Sequence, residues 1–207
     1  MNEINGINEI EIDENDINYK KYILSQPFIN EIYLILKNFS ELCEKNNINY
    51  WVDGGTLLGC VREQGQILHD NDADVGMLPE DYDKFIKLTT HLEETYKYTI
   101  QKQADGFLKI LSYNVYLKNV TKNEIIVPCL DIFIYEKFRN MIVIKNREIR
   151  HNYPKAWHFE KDLFPLCNMK YSDIELKGPN NPYPYLDRYY GNWKIKKVYE
   201  KPLCFIK

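Results

Sequence analysis

Three aspartates separated by single residues, Asp70, Asp72 and Asp74, are where this sequence concentrates groups able to do chemistry. In an extended strand, residues two apart project from one face, about 6–7 Å apart along the chain. Alternating carboxylates therefore converge, and unpaired anions on one face repel. A divalent cation relieves that repulsion, and all-oxygen donors select a hard ion such as Mg²⁺, with Mn²⁺ as an acceptable substitute. Ala73 and Val75 alternate with the acids and suit the buried back of such a strand. The same spacing matches positions 1, 3 and 5 of a calcium-binding helix–loop–helix, but Val75 stands where that loop needs Gly and Asp81 where it needs Glu. A solvated acidic loop is the remaining alternative.

Two other places belong to the same argument. Ile48 to Val52 is a short β-prone run stopped by Asp53-Gly54-Gly55, and a helix over Thr56 to Arg62 follows directly. A strand that runs through two glycines into a helix presents backbone N–H groups to a phosphate. Gly54, Gly55 and the Thr56 hydroxyl are thus candidate phosphate contacts. Arg62, two turns on, reaches the same phosphates or makes a surface salt bridge. Further along, Asp131 interrupts the apolar run Ile125 to Tyr135. A lone carboxylate there is costly unless paired, either by a cation shared with Asp72 and Asp74 or by backbone N–H groups at a strand end.

The elements that must position these groups are legible as periodicity. Residues 1–20 read as a flexible polar arm rich in Asn, Glu and Ile. Ser25 and Pro27 open a helix whose apolar face is Phe28, Ile29, Ile32, Tyr33, Leu36, Phe39 and Leu42, ended by Asn46 and Asn47. The acidic cluster rides an extended stretch, Ile67 to Met77. Pro79 opens a helix running from Asp81 to Glu94, with Tyr82, Phe85, Ile86 and Leu88 inward. Strands are expected over Tyr98 to Gln103, Phe107 to Leu117, Ile125 to Tyr135 and Met141 to Ile144. The last third is rich in Pro and aromatics and is expected to be irregular. The order predicts an α+β domain over residues 21–207, a mixed β-sheet with helices packed against it.

Composition bounds the function. The 207 residues carry a net charge of −3, which argues against nucleic acid as a partner held by bulk charge. Five cysteines (Cys43, Cys60, Cys129, Cys167, Cys204) form no CxxC pair, so neither a zinc knuckle nor a disulfide framework is indicated. The acidic start is unlike a signal peptide and no run approaches 18 apolar residues, so no membrane span and a cytoplasmic setting are expected.

The segment from Trp51 to Met77 closely resembles the signature of the LicD family, which includes bacterial phosphocholine transferases, fukutin and fukutin-related proteins. Its usual form reads GTLLGxxR, then a Gly, a hydrophobic pair and W-D-D-D-I-D-[VI]-G-M. Gly55-Thr56-Leu57-Leu58-Gly59 with Arg62 fits the first part; in the second, His69 replaces Trp, Asn71 an Asp and Ala73 a bulky aliphatic. Leu163-Phe164-Pro165-Leu166 and Tyr185-Leu186-Asp187-Arg188-Tyr189-Tyr190-Gly191-Asn192-Trp193 resemble the family's closing F-P-L and Y-L-x-x-x-Y-G-x-W elements, so the likeness spans roughly residues 28 to 195.

The resemblance implies a nucleotidyltransferase fold, with Asp72, Asp74 and Asp131 as catalytic metal ligands and Asp70 as a further candidate. It implies Gly54, Gly55, Thr56, Arg62 and His69 on the substrate side, Arg62 stabilising charge in the transfer. The implied reaction moves a phospho-alcohol, of phosphocholine or ribitol-phosphate type, from a CDP-linked donor to a sugar hydroxyl of a glycan. The alternatives are a nucleotidyltransferase moving NMP from an NTP, and a catalytically silent metal- or nucleotide-binding module. Asn71, expected to face away from Asp72, is not a ligand.

Overall fold

The computed structural model describes residues 9–11, 23–102, 107–119, 124–199 and 205–206. The polar arm expected over residues 1–20 falls mostly outside the described residues; its described piece is a strand, β1 (Glu9–Glu11). Helix α1 (Gln26–Lys45) has Ser25 at its N-cap and Pro27 in its first turn, and buries Phe28, Ile32, Ile35, Leu36 and Phe39 completely. Asn46 caps it, and Asn47 takes a positive φ of 51° that turns the chain away. The β-prone run contributes only β2 (Trp51–Val52) before α2 (Gly54–Arg62).

Strand β3 (Asp72–Met77) begins later than the expected extended stretch, which leaves Asp70 and Asn71 in the turn before it. The single helix expected after Pro79 is α3 (Pro79–Phe85), a 3₁₀ turn (Ile86–Leu88) and α4 (Thr89–Tyr96). Next come β4 (Thr99–Lys102) and β5 (Phe107–Leu111). Gln103 lies outside the described residues. Two long expected strands are split. The first yields β5 and β6 (Leu117–Asn119); the second yields β7 (Glu124–Ile126) and β8 (Cys129–Phe138), parted at Pro128, which has no N–H for a ladder. Strand β9 (Met141–Ile144) matches its expected bounds.

The aromatic last third holds more regular structure than its composition suggests. It comprises α5 (Arg147–Asn152), β10 (Trp157–Phe159), α6 (Glu160–Leu163), the hairpin β11 (Cys167–Tyr171) and β12 (Ile174–Gly178), then α7 (Tyr183–Tyr190) and β13 (Lys197–Tyr199). Strand β14 (Phe205–Ile206) pairs with β6, and β1 pairs with β13. The fold is thus α+β with a mixed sheet. Its main sheet runs β10-β9-β8-β3-β2, with β5 on the first half of β8 and β4 beyond it. Only β3 and β8 run parallel within it; the other pairs are antiparallel.

Alternation sorts the two faces of this sheet. Ala73, Val75, Met77, Leu108, Ile110, Leu130 and Ile132 are buried with the apolar face of α1 in one core. The opposite face carries Asp72, Asp74, Lys109 and Asp131, and a smaller cluster of Trp51, Phe133, Tyr135, Ile142 and Ile144. Trp51 crosses over Gly76, where a Cβ would lie 2.4 Å from its ring. Cys43, Cys60 and Cys129 are buried free thiols and Cys167 is half-buried, while Cys204 lies outside the described residues. Among the described residues, no helix is long and apolar enough to cross a membrane.

Candidate functional site

Asp72 and Asp74 lie two apart on β3, so both face the side of the sheet away from α1. Because β3 and β8 run parallel with Asp74 opposite Asp131, the third carboxylate arrives abreast of the pair. The helix–loop–helix alternative ends here, since these acids sit in a strand hydrogen-bonded on both sides. A cleft of about 360 Å³ opens over them, lined by Asp53, Asp70, Asp72, Asp74 and Asp131 and walled by aromatic rings.

The glycines are fixed by this arrangement. Gly54 has φ +48°, and a Cβ there would lie 2.5 Å from Asp74 Oδ2; on Gly55 it would lie 2.2 Å from Asp70 Oδ2. Both lie inside the first turn of α2, and Gly55 N–H donates to Asp74 Oδ2 at 3.1 Å. The helix start is thus turned onto a carboxylate. Thr56 corrects an expectation: it is 3% exposed, and its Oγ1 accepts from the Asp74 backbone N–H at 2.8 Å. Its hydroxyl locks α2 to β3 and does not reach into the cleft. Asn71, expected to point away, lines the cleft because β3 begins only after it.

Electrostatics sets these acids apart. Burial, then the neighbouring Asp72 charge, holds the Asp70 and Asp74 carboxyls well above the usual carboxylate range. Burial also raises Asp72, partly offset by its hydrogen bond to Asp70 and by Lys109. Asp131 is pushed up to about 6 by burial, against the opposing pull of Lys109. Lys109, which the sequence reading did not single out, places Nζ 2.7 Å from both Asp131 oxygens. It stands directly opposite Asp131 across β5 and β8, completing a row Lys109–Asp131–Asp74 over three adjacent strands. The crowded, all-oxygen donor set suits a hard divalent cation in charge and chemistry. Among the described residues, however, no three His, Cys, Asp or Glu groups are gathered as a ready-made metal centre.

A fifth carboxylate behaves differently. Asp53 is 2% exposed; its Oδ2 accepts from the Tyr135 hydroxyl and its Oδ1 accepts from His158 Nε2 at 3.1 Å. Burial alone would raise its pKa, but the hydrogen bond and charge of His158, with hydrogen bonds from Tyr135 and Tyr185, hold it below the usual range. Tyr185 stacks on the His158 ring at 4.3 Å and 8°, so β8, β10 and α7 all meet at this one side chain. Asp53, Tyr135 and His158 were not recognised from sequence; Tyr185, Tyr189 and Tyr190 fall within the closing motif, which was the only signal for them.

Arg62 and His69 face an adjoining cleft of about 310 Å³, which shares Gly55, Asp70, Asn71 and Asp74 with the first. Arg62 Nε is paired with Glu63 at 2.7 Å, and its Nη1 donates to the Trp193 carbonyl at 3.0 Å. It therefore joins α2 to the C-terminal segment beside the carboxylates, not above them. Burial and the Arg62 charge push His69 down to about 4, so it is neutral near pH 7. The structure thus gathers Asp53, Asp70, Asp72, Asp74 and Asp131 in one chamber, and Arg62 and His69 in the next.

A mixed α+β sheet with acids abreast on two parallel strands, facing a Gly-Gly helix start, is the class of site these elements define. Residues 47–181 match the family model described as "LicD/FKTN/FKRP, nucleotidyltransferase domain". The chain belongs to the LicD family. An uncharacterized protein of Rickettsia prowazekii is 35% identical over 187 residues, covering 90% of this chain and 64% of that protein. An uncharacterized protein of Rickettsia typhi is 32% identical over 194 residues, covering 92% of this chain and 55% of that protein. The chain therefore spans less than two thirds of either relative's length. The lipopolysaccharide cholinephosphotransferase LicD of Haemophilus influenzae is 32% identical over 194 residues, covering 77% of this chain and 72% of that protein.

Proposed function

We propose that this chain is a Mg²⁺-dependent transferase moving a phospho-alcohol, of phosphocholine or ribitol-phosphate type, from a CDP-linked donor to a sugar hydroxyl of a glycan. The observation that carries the reading is the alignment of Asp72, Asp74 and Asp131 on β3 and β8, facing the start of α2. Family membership supports it, and the lipopolysaccharide cholinephosphotransferase of Haemophilus influenzae favours phosphocholine and a glycan acceptor.

Asp72, Asp74 and Asp131 would hold the cation, with Asp70 as an added carboxylate; bound there, Mg²⁺ supplies Lewis-acid neutralisation of the donor's diphosphate. The acceptor hydroxyl attacks the phosphorus bearing the alcohol, and the P–O bond to CMP breaks. The hydroxyl's proton passes to a carboxylate of the cluster, for which Asp131 is the candidate. Gly54 and Gly55 let α2 approach the acids closely. Thr56 fixes that approach from behind, and Arg62 and His69 line the chamber into which the donor extends.

The test is incubation with CDP-choline, CDP-ribitol and the four NTPs in Mg²⁺ or Mn²⁺, with products read by mass spectrometry. Free CMP with a glycan acceptor that has gained the phospho-alcohol is the expected result. Pyrophosphate without CMP would reassign the chain to NMP transfer, and no product from any donor would leave it a silent binding module.

A further inference from the structure

Lys109 is the cation this sheet places against its own carboxylates. Its Nζ lies 2.7 Å from each oxygen of Asp131, a symmetric two-point contact made by one ammonium group. The pair is largely withdrawn from water, with side-chain exposures of 23% for Lys109 and 9% for Asp131. Lys109 also feels the Asp72 charge and lies 5.2 Å from the centre of the Phe107 ring, so aromatic and anionic surroundings both favour its positive form. Register decides this placement: Lys109 opposes Asp131 on one side of β8, and Asp74 opposes it on the other. One carboxylate is thereby shared between a fixed ammonium and the anionic pair of β3.

We propose that Lys109 is a built-in counter-ion that a divalent cation must displace from Asp131, and that the displaced ammonium then serves the donor's phosphates. This rests on the transferase reading above and deepens it. The ammonium satisfies Asp131, which lines one cleft together with Asp72 and Asp74. A lysine suits the exchange: its charge is a point on a flexible four-carbon stem with no bidentate geometry to lose, whereas an arginine fork would grip a carboxylate more firmly. Two positive charges on one carboxylate repel, so the Lys109–Asp131 contact and cation binding at Asp131 oppose each other. Once released, the ammonium lies beside the cleft that takes an anionic donor.

The experiment compares wild-type protein with Lys109→Met, Lys109→Gln and Lys109→Arg, using Mn²⁺ alone and then CMP at saturating Mn²⁺, both by titration calorimetry. Without nucleotide, Lys109→Met and Lys109→Gln should bind Mn²⁺ about tenfold more tightly than wild type, because one competing charge has gone. Lys109→Arg should bind it no more tightly. At saturating Mn²⁺, both neutral variants should bind CMP about tenfold more weakly. In an Asp131→Asn background, Lys109→Met should no longer tighten Mn²⁺ binding, which ties the effect to this pair. Unchanged or weakened Mn²⁺ affinity in both neutral variants would overturn the displacement, and unchanged CMP affinity would overturn the phosphate role. Wild-type protein that binds neither Mn²⁺ nor CMP would instead sink the transferase reading, and this inference with it.

Discussion

Two sets of aspartates, Asp53 fully buried and Asp70, Asp72 and Asp74 half-buried, lie within one cleft, and they are held in opposite ways. Asp53 has three polar partners from three elements and a pKa below the usual range. Asp70, Asp72 and Asp74 have chiefly one another, and their pKa values are raised. A buried charge with its partners built in is a structural anchor; buried charges left facing each other store repulsion until a ligand relieves it. The same residue type thus fixes the frame at one end of the cleft and, on the proposed reading, is paired by a cation at the other.

The largest effect should come from breaking the frustrated side. Asp72→Asn or Asp74→Asn should reduce CMP release to background, while the melting temperature in metal-free buffer near pH 7.5 rises by about 2–4 °C as repulsion is removed. Full turnover in either variant would end the assignment. Breaking the satisfied side should do the reverse to stability. Asp53→Ala strands Tyr135 and His158 and should cost about 3–5 kcal/mol, read as a loss of about 10 °C or more in thermal melts. A loss of less than 1 °C would mean Asp53 is no anchor.

The hinge between the two sides is Gly54. Gly54→Ala incurs about 1–2 kcal/mol of backbone strain at its positive φ and drives a Cβ onto Asp74, so turnover should fall by about tenfold to a hundredfold. Gly191→Ala meets its own dihedral penalty at φ +65°, ψ −116°, with nothing within 4 Å, so melts should show the strain and product assays little else.

pH gives the gentlest test. The folded-state pKa values of Asp70, Asp72, Asp74 and Asp131 are raised, so the folded chain binds more protons than the unfolded one. Their stabilising contribution is full below about pH 4 and is lost as pH rises through the raised values, which for Asp131 means about 6. Metal-free protein should therefore melt higher at about pH 5 than at about pH 7.5. Asp53 runs the other way: its contribution is present above the unfolded carboxylate value and fades as pH falls through its lowered one. Saturating Mg²⁺ should flatten the first trend and leave the second. A metal-free profile that rises from pH 5 to 7.5 would contradict the frustrated reading.

Much of this site was written locally. The spacing of Asp72 and Asp74, the double glycine, and the helical face from Phe28 to Phe39 are short-range patterns, and each named its element. Strand limits were less legible where a proline or a turn intervened, as at Pro128 and around Asn71. Regular structure in the last third was hidden because its elements are short and owe their form to packing, as Tyr185 does against His158.

By itself, then, the sequence determined the family, the acidic strand and the glycine turn, because those depend on residues within a few places of one another. Tertiary structure alone decided that Lys109 stands beside Asp131, that Thr56 turns inward, and that Asp53 is enclosed by Tyr135, His158 and Tyr185. Those outcomes depend on sheet register and on residues from 18 to 132 places apart meeting in space, which no local pattern encodes.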